Sequence, residues 1–139
     1  MVVSFTGMGS ANALIAVVDD EKPVREALDT LLRSVGLKAR TFGSGTEFLA
    51  GLADWVPACV ILDLHMPGTS GFDVQARLNE MNVRIPVIVI TGYDSPEAHE
   101  RARSAGAAFY LRKPVDGSEL LDAISAAVGR GADYQNPRP

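Results

Sequence analysis

Cys59-Val60-Ile61-Leu62-Asp63-Leu64-His65-Met66-Pro67-Gly68 is an apolar run that ends in a carboxylate and then breaks. Four apolar or small residues ahead of the acid suit a strand covered on both faces, as in a parallel sheet, and Pro67-Gly68 stops it. Such a strand delivers Asp63 to the rim of a sheet, where a carboxylate can serve as nucleophile or metal ligand. The rest of the chain must explain why an acid is held there.

Three other runs end in the same way. Upstream, Ala13 to Val18 is a short β-favouring segment that stops at Asp19-Asp20-Glu21. Downstream, Val87 to Ile90 reads as a strand buried on both faces, with Pro86 tolerated near its start and Thr91 at its end. The last strand, within Gly106 to Pro114, ends in the cation Lys113, followed by Pro114. A fifth run, Leu37 to Phe42, alternates long charged residues with smaller ones, which marks a sheet edge.

Helices separate these runs. Pro23 opens the first, with Val24, Ala27, Leu28, Leu31, Leu32 and Val35 at helical spacing and Gly36 as its C-terminal cap. Ser44 and Glu47 have capping-box spacing ahead of Phe48, Leu49 and Leu52, and Trp55 lies beyond them as a packing lid. A third helix turns Phe72, Val74, Leu78 and Met81 inward. Ser95-Pro96-Glu97 opens a fourth whose inner face is mainly Ala98, Ala102 and Ala105; small residues anchor weakly, so this helix is the candidate mobile element. His99 falls on its solvated side. Asp116 or Ser118 caps a fifth, with Leu120, Leu121, Ile124 and Val128 inward.

Strand and helix alternating five times imply an α/β, flavodoxin-like (βα)5 doubly wound parallel sheet with right-handed crossovers. With the charged strand at an edge, the order is 2-1-3-4-5, and Asp19-Asp20, Asp63, Thr91 and Lys113 face one crevice. Residues 13–129 form this domain, between a flexible leader at 1–12 and a flexible tail at 130–139.

Composition narrows the partners. The chain has 139 residues, 47% hydrophobic and 22% charged, enough for one domain with a core. A net charge of −4 and a pI near 5.1 argue against a nucleic-acid-binding face, so no direct nucleic-acid contact is expected. Cys59 reads as a small buried hydrophobe, no intrachain disulfide is available, and a reducing cytoplasm fits. Nothing approaches the ~18 apolar residues of a membrane span.

Three carboxylates in one crevice repel one another unless a cation sits among them. All-oxygen ligands point to a hard ion such as Mg²⁺, which takes one or two carboxylates, waters and a phosphate oxygen. A hydroxyl and an amine opposite complete a pocket for a phosphoryl group, with Asp63 as the nucleophile.

Val17-Val18-Asp19-Asp20-Glu21, Ile61 to Gly68, Ile90-Thr91-Gly92 and Lys113-Pro114, in this order and spacing, resemble the receiver domain of two-component response regulators, here in single-domain form. The resemblance spans about Leu14 to Val128, and its five hallmark positions are all present. It implies that Asp63 accepts a phosphoryl group from a histidine kinase or phosphotransfer protein. Asp20, Asp63 and the backbone carbonyl of His65 would bind Mg²⁺, with Asp19 acting through water. Thr91 and Lys113 would contact the phosphoryl oxygens, and Gly92 would leave room for them. Tyr110 would turn with Thr91 to switch a partner-binding face, the Lys113-Pro114 bond would be cis, and His65 and Tyr93 would tune hydrolysis. The implied role is a switch that promotes its own phosphorylation and dephosphorylation, with a downstream protein partner and room for a phosphorylation-dependent dimer.

Other classes fit less well. A phosphate-ester hydrolase built on a strand-end Asp typically carries a second acid two residues on, where this chain has His65. A passive flavodoxin-like binding module would offer a Gly- or Ser-rich loop after the first strand, where this chain has Asp19-Asp20-Glu21. The chain could equally be the receiver part of a longer transcriptional regulator.

Overall fold

A computed structural model describes residues 13–135, with side chains through Gly129. The elements run β1 (Leu14–Val18), α1 (Lys22–Ser34), β2 (Lys38–Phe42), α2 (Gly45–Gly51), β3 (Cys59–Asp63), α3 (Gly71–Glu80), β4 (Val87–Thr91), α4 (Pro96–Ser104), β5 (Phe109–Arg112) and α5 (Gly117–Gln135). All strand pairs are parallel, in the order β2-β1-β3-β4-β5, as the alternation and the charged edge strand required.

The period-two alternation of the strands divides the interior into two layers. Ile15, Val17, Cys59, Ile61, Ile88 and Ile90 face α1 and α5, meeting Leu28, Leu32, Leu120 and Ile124. Ala16, Val18, Val60, Leu62 and Val89 face the other way, onto Phe48, Val74, Leu78 and Ala102. Leu28 and Leu32 together contribute roughly 3–6 kcal/mol of burial to α1. On α4 Ala102 is the buried residue, contributing about 1 kcal/mol, so this helix is the most weakly anchored, as its alanine face suggested.

Caps set the helix ends. Gly36 adopts φ +84° after α1, and the bonds Gly36 N–H to Arg33 O and Leu37 N–H to Leu32 O close a Schellman turn. Ser44 accepts from Glu47 N–H, while the reciprocal capping box is formed at α3 by Ser70 and Asp73. Asp116, rather than Ser118, caps α5, accepting from Glu119 N–H.

The sequence reading is corrected in two places. Met81 is 40% exposed, because it is the C-cap of α3 and lies past the turn that packs inward. Ala27 is exposed at the edge of α1. His99 lies on the exposed side of α4 as expected, and its ring also stacks on Tyr110. Helix α5 continues to Gln135, since Gly129 and Gly131 weaken a helix without forbidding it and the first proline comes at 137. The leader at 1–12 and residues 136–139 of the tail lie outside the described residues. Among the described residues no helix is long and apolar enough to cross a membrane.

Candidate functional site

Parallel pairing brings the four polar strand ends to one rim. Val18 pairs with Leu62, Asp63 with Ile90, and Thr91 with Arg112, so the residues at or just beyond these pairs share one edge. Asp19, Asp20 and Asp63 each place a carboxylate oxygen there, all within 4.8 Å of one another. Asp19 and Asp63 are buried and Asp20 is exposed.

Asp19 is fixed on several sides. Its N–H donates to Phe42 O at 3.1 Å, Arg25 Nη1 donates to its carbonyl at 2.8 Å, and its Oδ1 accepts from Glu21 N–H at 2.8 Å. Its buried Oδ2 meets Lys113 Nζ as an ion pair at 2.9 Å. Three carboxylate oxygens within 4.8 Å of one another, all hard donors, are a fitting ligand set for a hard divalent cation.

Lys113 follows β5, and its N–H donates to Thr91 O at 2.8 Å. Its ammonium lies 3.1 Å from Glu21 Oε1 and 3.5 Å from Asp63 Oδ2. Burial alone would lower its pKa; the bond to Asp19 and the charges of Asp63 and Asp19 outweigh that and hold it above the ordinary lysine value. Asp63 is pushed up to about 7, chiefly by burial and then by the Asp19 charge, against the opposing pull of Lys113 and the His65 N–H. That N–H reaches Asp63 Oδ1 at a long 3.4 Å. Burial and the Asp19 charge thus bias Asp63 toward its protonated form, a tension that a bound cation would relieve.

Thr91 is fully buried, and its hydroxyl accepts from Tyr93 N–H at 3.0 Å. A Cβ at Gly92 would stand 3.8 Å from Lys113 Cδ, so that position faces the lysine. Tyr110 donates its hydroxyl to Asp94 Oδ1 at 2.9 Å, and its ring stacks on His99 with centroids 4.3 Å apart. Burial and the Asp94 carboxylate push its phenol up to about 12, so it remains a donor. His65 is exposed and meets Tyr93 edge-to-face at 5.1 Å, and Tyr93 itself is 74% exposed. The Lys113-Pro114 bond is cis.

Sequence reasoning gave no role to two residues of this site. Glu21 shares Lys113, which the run of three acids after β1 could have suggested. Gly71 opens α3 directly beneath Asp63: a Cβ there would meet the Asp63 carbonyl and stand 2.7 Å from Leu64 Cα. Its N–H donates to Leu64 O at 2.9 Å, closing the loop that carries His65.

Five parallel strands with an acid cluster, a threonine and a lysine at one rim define a class of signalling domain. The response regulator receiver domain family matches residues 15–125, and the chain belongs to that family. It is 42% identical over 121 residues to nodulation protein W of Bradyrhizobium diazoefficiens, covering 87% of this chain and 53% of that protein. It is 40% identical over 132 residues to the response regulator protein TodT of Pseudomonas putida, covering 95% of this chain and 58% of TodT. Among solved structures, FixJ-N superposes with a TM-score of 0.79 at 32% identity, covering 85% of this chain and 94% of that one. The chain spans between about half and three-fifths of the length of the curated relatives it matches first. Receiver domains are generally phosphoacceptor switches that bind Mg²⁺ at an acidic pocket, and membership implies a histidine kinase partner.

Proposed function

We propose that this chain accepts a phosphoryl group on Asp63 from a histidine kinase or phosphotransfer protein. The observation that carries the reading is the single ammonium of Lys113 set 2.9 Å from Asp19 and 3.5 Å from Asp63, above a three-carboxylate pocket. An Asp63 oxygen attacks phosphorus, the bond from phosphorus to the donor's imidazole nitrogen breaks, and that nitrogen leaves with the electron pair. Asp20, Asp63 and the His65 carbonyl would hold Mg²⁺, with Asp19 acting through water. The cation supplies charge neutralisation for the carboxylates and the transferring group.

Lys113 binds phosphoryl oxygens once Asp63 is esterified, giving up part of its contact with Glu21 and Asp19. Thr91 turns its hydroxyl to the same group and releases Tyr93 N–H, which loosens the loop into α4. Tyr110 follows, leaving Asp94 and His99. Gly92 leaves space for the phosphoryl group, and the edge-to-face pair of His65 and Tyr93 over the mouth tunes access of water to it. The chain thereby promotes its own phosphorylation and dephosphorylation and processes no other substrate.

For the output, the relatives named as transcriptional regulators favour control of transcription, as part of a longer regulator or through a protein partner. A hydrolase reading gains nothing from the site, where His65 takes the place of a second acid.

A small phosphodonor such as acetyl phosphate tests the reading by intact mass. With Mg²⁺ the chain is expected to gain one phosphoryl group, and with a chelator in excess none. Equal labelling in both conditions would refute the metal-dependent site.

A further inference from the structure

Helix α4 is held differently at its two ends. At the end away from the acid cluster, Gln75 of α3 donates its Nε2 to Ala102 O at 3.0 Å, and Asn79, one turn on, donates its Nδ2 to Ala105 O at 3.0 Å. A backbone carbonyl can only accept, so the orientation of each amide is fixed. Gln75 is only 2% exposed, and its Oε1 is left without a partner. Ala102 O also accepts from Ala107 N–H, and Gly106 at φ +106° closes that turn with its N–H on Arg103 O. The end of α4 is therefore a capped turn clamped by two side chains of α3, the Gln75 bond buried and the Asn79 bond exposed.

The other end hangs on polar contacts of the loop that leads into it, two of them part-buried and two exposed. Ser95 caps α4, accepting from Ala98 N–H; Asp94 takes the Tyr110 hydroxyl and lies 3.8 Å from Arg112; Tyr93 N–H rests on the Thr91 hydroxyl. The Tyr110–Asp94 bond and the Asp94–Arg112 pair are exposed, the kind that contribute least, and the Thr91 bond is the one that phosphorylation would remove. Midway, the Arg101 guanidinium lies 4.0 Å over the Phe72 ring, on a long stem that can follow a small rotation.

From this asymmetry we infer that Gln75 and Asn79 are positioning residues that pin the C-terminal end of α4, so that α4 answers the site by pivoting about that end. The inference rests on the phosphoacceptor reading and goes beyond it by naming the fulcrum. Nine residues of helix are about 13 Å long, so a swing of roughly 10° moves the Ser95 end by about 2 Å while Ala102 to Ala107 stay in place.

Gln75→Leu keeps the side-chain volume and orphans no group, because Ala102 O retains the Ala107 N–H and the unpartnered Oε1 disappears. The variant should fold as well as the parent. The test loads the full chain with Mg²⁺ and beryllofluoride, with bound fluoride read by its ¹⁹F signal and backbone amides read by NMR and hydrogen exchange. In the parent, amides 93–99 should change on loading while those of Ala102 to Ala107 keep their shifts and protection. In Gln75→Leu/Asn79→Ala, the Gly106 and Ala107 amides should exchange at least about tenfold faster, since the two side-chain hydrogen bonds that hold the turn are lost, and loading should now shift them too. Equal loading shifts at both ends of the parent helix would overturn the pivot, as would unchanged exchange in the double variant. A parent that shows no bound fluoride would instead overturn the phosphoacceptor reading, and the pivot with it.

Discussion

Asp63→Asn is expected to take up no phosphoryl group and, in magnesium-free buffer at pH 8, to melt about 5–10 °C above the parent. The first effect follows from chemistry, since an amide oxygen is not a competent nucleophile toward phosphorus and the neighbouring acids lie on other backbones. The second follows from the raised pKa. Folding moves the Asp63 carboxyl from an ordinary 3.8 to about 7, so the folded chain binds a proton there that the unfolded chain has released. Its stabilising contribution is fully present below pH ~4, is lost as pH rises through 7, and stays lost above. About three pH units at ~1.4 kcal/mol each set a ceiling of roughly 4 kcal/mol, and loss of the Lys113 attraction in the variant reduces the net gain to about 2. The gap in melting temperature should therefore widen between pH 4 and 7 and level off beyond. Adding Mg²⁺ should narrow it by stabilising the parent, which keeps its third carboxylate. A variant no more stable than the parent at pH 8 would contradict the strained apo pocket.

Gly71→Ala carries the second large effect. The added Cβ would press on the Asp63 carbonyl and on Leu64 Cα at 2.7 Å. Both are backbone atoms of the layer that holds the site, so no side chain can swing aside. Overpacking against backbone costs about 2–4 kcal/mol, which the fraction of a kcal/mol gained by removing a glycine does not offset. A melting temperature lower by roughly 6–15 °C follows, with slower phosphorylation because the Asp63–His65 segment is displaced. Gly68→Ala is the control: its φ is +75° but nothing lies within 4 Å of the added carbon, so about 1 kcal/mol of strain is expected. Similar melting points for the two variants would show that the contact beneath Asp63 relaxes freely.

The contrast between these residues shows what a sequence makes legible. Asp63, Thr91 and Lys113 could be read because each ends a short buried run, and parallel topology carries such ends to a common rim whatever the loops do. The strand order was readable from Lys38 and Arg40, whose charges keep β2 at the edge. Gly71 was not readable, because its importance depends on the path of residues 64–70 doubling back over β3. The Gln75 bond to Ala102 O was equally hidden: a glutamine on a helix bears no mark that a carbonyl 27 positions away will meet it. Met81 was misplaced because an apolar period cannot tell the last inward turn from the cap that follows it. That the exposed His99 also stacks on Tyr110 was hidden, because the contact is set by the angle of α4 to β5.

The most direct test of the central claim, that Asp63 is the phosphoacceptor, is chemical trapping. After reaction with a small phosphodonor and Mg²⁺, borohydride reduces an acyl phosphate to an alcohol, turning a phosphorylated aspartate into homoserine, and peptide mapping locates it. Homoserine at position 63, absent without Mg²⁺ and absent in Asp63→Asn, is the expected result. Homoserine at Asp19 or Asp20, or phosphate held on His65 with position 63 unmodified, would contradict the account.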